Sequence, residues 1–153
     1  ANAEPKRLPA LLEAVHPDFS LLSGDDPSCA DSIANGAQGV ISVVANAAPA
    51  AMARLAQQAS QAKQKAAATK KLVSMSDNDD NSAHAAPDYT ALDTRLQALY
   101  ELANLGGNPT GIKWCLWQSQ RIQRGIRLPL TWLHPDLEAQ ALQLYQDVSD
   151  LVT

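Results

Sequence analysis

Apolar residues recur along this chain with two different periods, and the change of period divides it. Between Lys6 and Val15, Leu8, Leu11, Leu12 and Val15 fall at helical spacing, with Pro5 and Pro9 early enough to sit near a first turn. A short amphipathic helix is predicted there. His16-Pro17-Asp18 breaks it, and Phe19 to Ser23 is a short apolar run bounded by turn residues, which reads as a strand. Pro27 then opens a second helix through Ala30, Ile33 and Ala34, ended by the C-cap signal Asn35-Gly36. Val40 to Val44 is a β-branched run and reads as a second strand. Pro49 opens a long Ala-rich helix through Met52, Leu55, Ala59 and Ala62, reaching Val73.

Beyond that point the pattern is helical throughout. Ser74 to Pro87 is polar, acidic and rich in small residues, the composition of a flexible loop. Tyr89, Leu92, Leu96, Leu99, Tyr100 and Ala103 form one helical face, and Gly106-Gly107-Asn108-Pro109 stops it. A shorter helix runs from Gly111 to about Gln120 with Trp114 and Trp117 three apart, a spacing typical of core aromatics. Arg127-Leu128-Pro129-Leu130 reads as an extended crossing. From Pro135 to Val152 a last helix carries Leu137, Ala141, Leu144, Tyr145, Val148 and Leu151 on one stripe. The resulting division is residues 1–73, a flexible insertion over 74–87, and a helical part over 88–153.

Helix, strand, helix, strand, helix with short loops implies a parallel pair joined by a right-handed crossover, and hence an α/β architecture. Both strand runs stop abruptly, at Ser23-Gly24-Asp25-Asp26 and at Ala45-Asn46. Buried parallel strands present chemistry at their carboxyl ends, so these two ends form a candidate active-site rim. Two strands cannot close a barrel, and a two-stranded parallel sheet has bare edges that need cover.

Composition narrows the function classes. With 153 residues, 46% hydrophobic and 18% charged, and a formal net charge of -4, the chain is a globular, mildly acidic domain. It has no basic stripe for nucleic acid or an anionic membrane surface. No run approaches the roughly 18 apolar residues of a membrane span, and the start Ala1-Asn2-Ala3-Glu4-Pro5-Lys6-Arg7 lacks a signal peptide's apolar segment, so a cytoplasmic location is expected. Cys29 and Cys115 stand far apart without a CxxC, which signals neither a disulfide framework nor a zinc site; both read as reduced, buried thiols. His16, His84 and His134 have no partners at ligand or triad spacing and suit surface or capping roles. Asp77-Asn78-Asp79-Asp80-Asn81 begins like a calcium loop, but Ser82, His84 and Asp88 replace the residues such a loop requires, so no metal site is expected.

Taken together, Asp18-Phe19-Ser20-Leu21-Leu22-Ser23-Gly24-Asp25-Asp26, Gly39-Val40-Ile41-Ser42-Val43, Ala45-Asn46, Asn108-Pro109 with Lys113-Trp114, and Arg127-Leu128-Pro129-Leu130 resemble, in order and spacing, the carboxyl-terminal half of the dihydrodipicolinate synthases. The resemblance covers nearly the whole chain. It implies the carboxyl-terminal part of a (β/α)8 TIM barrel, contributing two strands, plus a carboxyl-terminal helical extension. Phe19 to Ser23 would be the seventh strand and Gly39 to Val44 the eighth. The implied activity is condensation of pyruvate with aspartate semialdehyde through a Schiff base on a lysine, on the route to lysine, by a homo-oligomer that is usually a tetramer, with no cofactor.

By the same resemblance Ala1 falls just past the expected position of that lysine, so the chain is expected to lack the catalytic nucleophile and to depend on the remaining half of the barrel. Lys6, Lys63, Lys65, Lys70 and Lys71 lie on polar helix faces and read as solvated ammoniums, and Lys113 matches a position behind the rim. What carries over is a pyruvate-side wall. Ile41 matches the residue beside the bound keto acid, and Gly24 and Asp25 match the end of the seventh strand. Asp25 and Asp26 also admit a second reading, as carboxylates favoured near the start of the helix that Pro27 opens. The alternative for the whole chain is a non-catalytic half-barrel that acts by self-association or by docking on a complete barrel.

Overall fold

The computed structural model describes residues 7–73 and 88–152. Its elements are α1 (Arg7–Ala14), β1 (Leu22–Ser23), α2 (Cys29–Ala34), β2 (Gly39–Val40), a 3-10 turn (Val44–Asn46), α3 (Pro49–Val73), α4 (Thr90–Asn104), α5 (Thr110–Gln118) and α6 (Pro135–Val148). They group into two compact units. The first comprises Ala1–Ile41 with Arg54–Ala91, the second Ser42–Ala53 with Leu92–Thr153.

In the first unit β1 and β2 pair in parallel, Leu22 opposite Gly39 and Ser23 opposite Val40, with α2 as the crossover. Cys29, Ala30 and Ile33 make the buried face of α2. Both strands are shorter than the sequence pattern predicts, for local reasons. The Phe19 amide donates to the His16 carbonyl at 2.8 Å, so Phe19 belongs to the turn after α1. At Leu21 the amide donates to the Gln38 side chain (2.7 Å) while the Leu21 carbonyl accepts from the Gln38 amide (2.8 Å), replacing one ladder bond by a side-chain bond. The second strand ends at Val40 instead of Val44 because Ser42 Oγ accepts the Ala45 amide at 2.8 Å and Val43 is already helical in φ and ψ. A serine acceptor at this place starts a helical turn as an N-cap does, in competition with the extended run of Val43 and Val44.

The second unit is helical. Gly106 and Gly107 take positive φ (70° and 85°) where α4 ends, a conformation without a Cβ penalty only for glycine. The following helix approaches α4 so closely that a Cβ on Gly111 would run into the Leu102 carbonyl oxygen and lie 2.8 Å from that of Leu105. Leu96, Leu99, Tyr100, Leu102, Trp114 and Val148 are among the buried residues. Trp114 meets Trp117 and Tyr145 edge-on with centroids 6.2 and 6.3 Å apart; Trp114 packs as core, as its spacing predicts, whereas Trp117 is half-buried. The Arg127–Leu130 stretch is not an extended crossing. Its Leu130 amide donates to the Arg127 carbonyl at 3.1 Å and closes a turn that leaves Leu128 88% exposed. The last helix stops at Val148, four residues before Val152, and the Leu151 amide then bonds back to the Val148 carbonyl at 2.8 Å.

Candidate functional site

The carboxyl ends of β1 and β2 lie side by side because their pairing continues one residue past the ladder. The Ile41 amide donates to the Ser23 carbonyl at 2.8 Å, which sets Ile41 beside the residue that precedes Gly24. Gly24 and Ile41, which the family resemblance puts on a pyruvate-side wall, therefore come side by side in the first unit. The Ile41 side chain is 71% exposed and Gly24 is exposed as well. An apolar side chain and a residue with no side chain together make a surface that an apolar group can contact and that a small ligand can approach down to the backbone.

Asp25 differs from these two. Its Oδ2 accepts from the Ser28 amide (3.2 Å) and from Ser28 Oγ (2.5 Å), and its own amide donates to Ser23 Oγ at 3.3 Å. The carboxylate is thus engaged at the start of α2, the second of the two roles its position admits, where negative charge is favoured by about 0.3 to 1 kcal/mol. Ser23 and Ser42 are the residues that sequence reasoning passed over. Each hydroxyl shapes the end of a strand; Ser23 closes its apolar run, but Ser42 lies inside the Val40–Val44 run, where nothing in the sequence marks it as a stop.

The lysines separate in the same manner. Lys63 is not a solvated ammonium: it donates to the Gly36 carbonyl at 3.0 Å, just past the carboxyl end of α2. Lys65 pairs with Asp88 at 2.6 Å on the surface, which lowers the Asp88 pKa by hydrogen bonding and charge. The side chains of Lys6, Lys70 and Lys71, together with His84 and the acidic stretch from Asp77 to Asn81, lie outside the described residues. His134 caps α6 through Nδ1, which accepts the Asp136 amide at 3.3 Å, and His16 holds the Asp18 amide in the same way. Cys29 and Cys115 are both buried. Among the described residues no cluster of His, Cys, Asp or Glu is placed to hold a metal ion, and no helix is long and apolar enough to cross a membrane. A cavity of about 230 Å³ lies in the second unit, among Thr110, Leu130, Trp132, Leu133 and His134.

Residues 3–79 match the model of the dihydrodipicolinate synthetase family. The 4-hydroxy-tetrahydrodipicolinate synthases of Stutzerimonas stutzeri and Pseudomonas aeruginosa are 34% and 33% identical over 133 and 135 residues, covering 87% and 88% of this chain but 38% and 39% of their own lengths. Among solved structures, the chloride-inhibited dihydrodipicolinate synthase of Acinetobacter baumannii, complexed with pyruvate, superposes with a TM-score of 0.77 at 27% identity, covering 97% of this chain and 44% of that one. The dihydrodipicolinate synthase of Aquifex aeolicus shares the fold with a TM-score of 0.78 at 22% identity, covering the whole of this chain and 45% of its own. The fold is therefore the carboxyl-terminal part of a TIM barrel, two strands with their helices, followed by a helical extension. The chain belongs to the dihydrodipicolinate synthetase family, and it spans less than half the length of the relatives it matches.

Proposed function

We propose that this chain is the carboxyl-terminal part of a lyase of the 4-hydroxy-tetrahydrodipicolinate synthase type, and that it supplies one wall of a pocket in which pyruvate is condensed with aspartate semialdehyde. The observation that carries this reading is the meeting of Gly24 and Ile41 at the carboxyl ends of a parallel pair, in a chain whose matched relatives are synthases of this kind. In a TIM barrel the reacting groups gather at that end of the strands. Ile41 would pack against the methyl side of the keto acid and keep water from it, and Gly24 would let the ligand reach the backbone. Asp25 would hold the rim's shape through Ser28 instead of meeting substrate with its carboxylate.

Schiff-base formation needs an amine that is neutral and shielded, a state reached by desolvation or a neighbouring cation. The ammonium of Lys63 is engaged with a carbonyl and that of Lys65 with a carboxylate, and Lys113 is carried on α5. The nucleophilic lysine of this reading belongs to the barrel segment outside this chain, which is the partner the strand pair needs. The residues over 74–87 would be an insertion between helices, and the assembled protein a cytoplasmic homo-oligomer. Borohydride reduction in the presence of pyruvate, read by intact mass, tests the division of labour. The chain alone should gain no adduct. The chain completed with the barrel segment of a relative should give one, on that segment. A stable adduct on this polypeptide would place the nucleophile here, and no adduct in the completed barrel would end the proposed activity.

A second reading has its own observation. Phe19, Leu22 and Ile41 are exposed beside a two-stranded sheet, and such edges invite another strand. A non-catalytic half-barrel that self-associates or docks on a complete barrel would cover them. Sedimentation of the chain distinguishes this from a self-sufficient domain, because a stable folded monomer contradicts the need for cover.

A further inference from the structure

A six-residue helix forms few bonds of its own and is marginal in isolation, so what fixes α2 is what ties it down. Three side chains do so within the first unit. Asp25 holds its start through Ser28. Tyr89, itself 7% exposed, donates its hydroxyl to Asp31 Oδ1 at 2.9 Å in the body of the helix. Lys63 donates to the Gly36 carbonyl at 3.0 Å just past its end. The helix leads back, through Asp25, Gly24 and Ser23, to the carbonyl that accepts the Ile41 amide. A shift of α2 is therefore passed to the residues that bring Gly24 and Ile41 together.

We infer that Tyr89 and Lys63, neither of which touches the rim, are positioning residues for it, acting through α2. The inference rests on the proposed pyruvate-side wall for its functional meaning, but the tie itself is a property of this chain. The Tyr89 pair is the more informative of the two. It joins residues 58 positions apart, it is partly buried, and it sets an O–H donor against an ionisable acceptor. The adjoining Lys65–Asp88 pair is exposed and adds little to the clamp.

Hydrogen exchange followed by NMR on the chain tests this without reference to catalysis. Tyr89→Phe removes only the hydroxyl. Exchange at the Ser28 and Ile41 amides should quicken about fivefold, the factor that loss of one hydrogen bond gives to a local opening, while Leu99 and Leu102 amides in α4 keep their rates. Asp31→Asn, which retains an acceptor oxygen, should keep the protection, Asp31→Ala should lose it, and Tyr89→Phe added to Asp31→Ala should change nothing more. Lys63→Met should reproduce the pattern independently. Equal acceleration at Ser28, Ile41 and Leu99 would reduce both residues to general stabilisers, and unchanged exchange at Ser28 and Ile41 would remove the tie; either result overturns the inference. A failure of the completed barrel to trap pyruvate would leave these rates as they are, so the two failures are distinguishable.

Discussion

The strand-bearing unit and the helical unit reach order by different means. In the helical unit each segment closes its backbone bonds internally, and covered side chains fill the space between elements: Leu96, Leu99, Tyr100 and Leu102 from α4, Trp114 and Cys115 from α5, Val148 from α6. In the strand unit the parallel pair is two residues deep, and Phe19, Leu22 and Ile41 remain exposed at 58%, 46% and 71%. Helices can be complete one at a time, whereas strands are complete only beside other strands. Packing thus orders the helical unit, while around the rim the buried face of α2 is joined by hydrogen-bond ties from Asp25, Lys63 and Tyr89.

The largest effect should come from the closest contact in the helical unit. Gly111→Ala sets a methyl group against the carbonyl oxygens of Leu102 and Leu105, backbone atoms that cannot rotate away. We expect a loss of about 3 kcal/mol or more, read from urea unfolding with the Trp114 and Trp117 fluorescence as signal. A loss below about 0.5 kcal/mol would show that α4 and α5 are not jammed together and would remove the contrast between the units.

Next comes a pH effect confined to the same unit. Burial pushes the Cys115 thiol up from 9.0 to about 12, opposed in part by the nearby Arg121 guanidinium, and burial also raises Tyr145. A raised folded pKa means that the neutral thiol is favoured in the fold. Its contribution is intact below pH 9 and is lost as pH climbs from there toward 12. By pH 10 the unfolding constant should rise about tenfold relative to pH 8, beyond any change in Cys115→Ala. Equal pH profiles for the two proteins would place the thiol in contact with water.

The long apolar periods of α3, α4 and α6 made those helices legible from sequence alone, because a stripe of period 3.6 has few other solutions. The end of the first strand was legible, since Ser23-Gly24 closes a Leu-rich run, but the second was read through to Val44, whereas it stops at Val40. A single serine acceptor at Ser42 turned the expected strand residues Val43 and Val44 into a helical turn, and hydroxyl geometry leaves no periodic trace. The role of Lys63 and the Tyr89–Asp31 pair were out of reach for another reason: each joins positions 27 or 58 residues apart, a relation that no local pattern encodes. The two readings of Asp25 could not be separated until the direction of its carboxylate was known.

That direction sets the third expectation. Asp25→Ala removes the acceptor for two Ser28 donors, and the loss of a helix-start carboxylate costs about 1 kcal/mol. Asp25→Asn should restore part of it. Denaturant midpoints for the two variants give the comparison, and a cost near zero would mean that Ser28 finds water as readily as Asp25.

The smallest stability effect should fall on the residue with the largest proposed role. Ile41 is exposed in this chain, so Ile41→Ala removes little contact and should shift stability by no more than about 0.5 kcal/mol. In the completed barrel the same side chain is proposed to face the methyl group of pyruvate, where each lost methylene contact is worth up to about 0.8 kcal/mol, so the KM for pyruvate should rise about fivefold. A stability loss like that of a core residue would show that Ile41 is covered by this chain itself and is not a wall waiting for a ligand. An unchanged KM with unchanged stability would leave the rim without its apolar face. Only a pyruvate effect without a stability effect fits a surface that is finished by something other than its own chain.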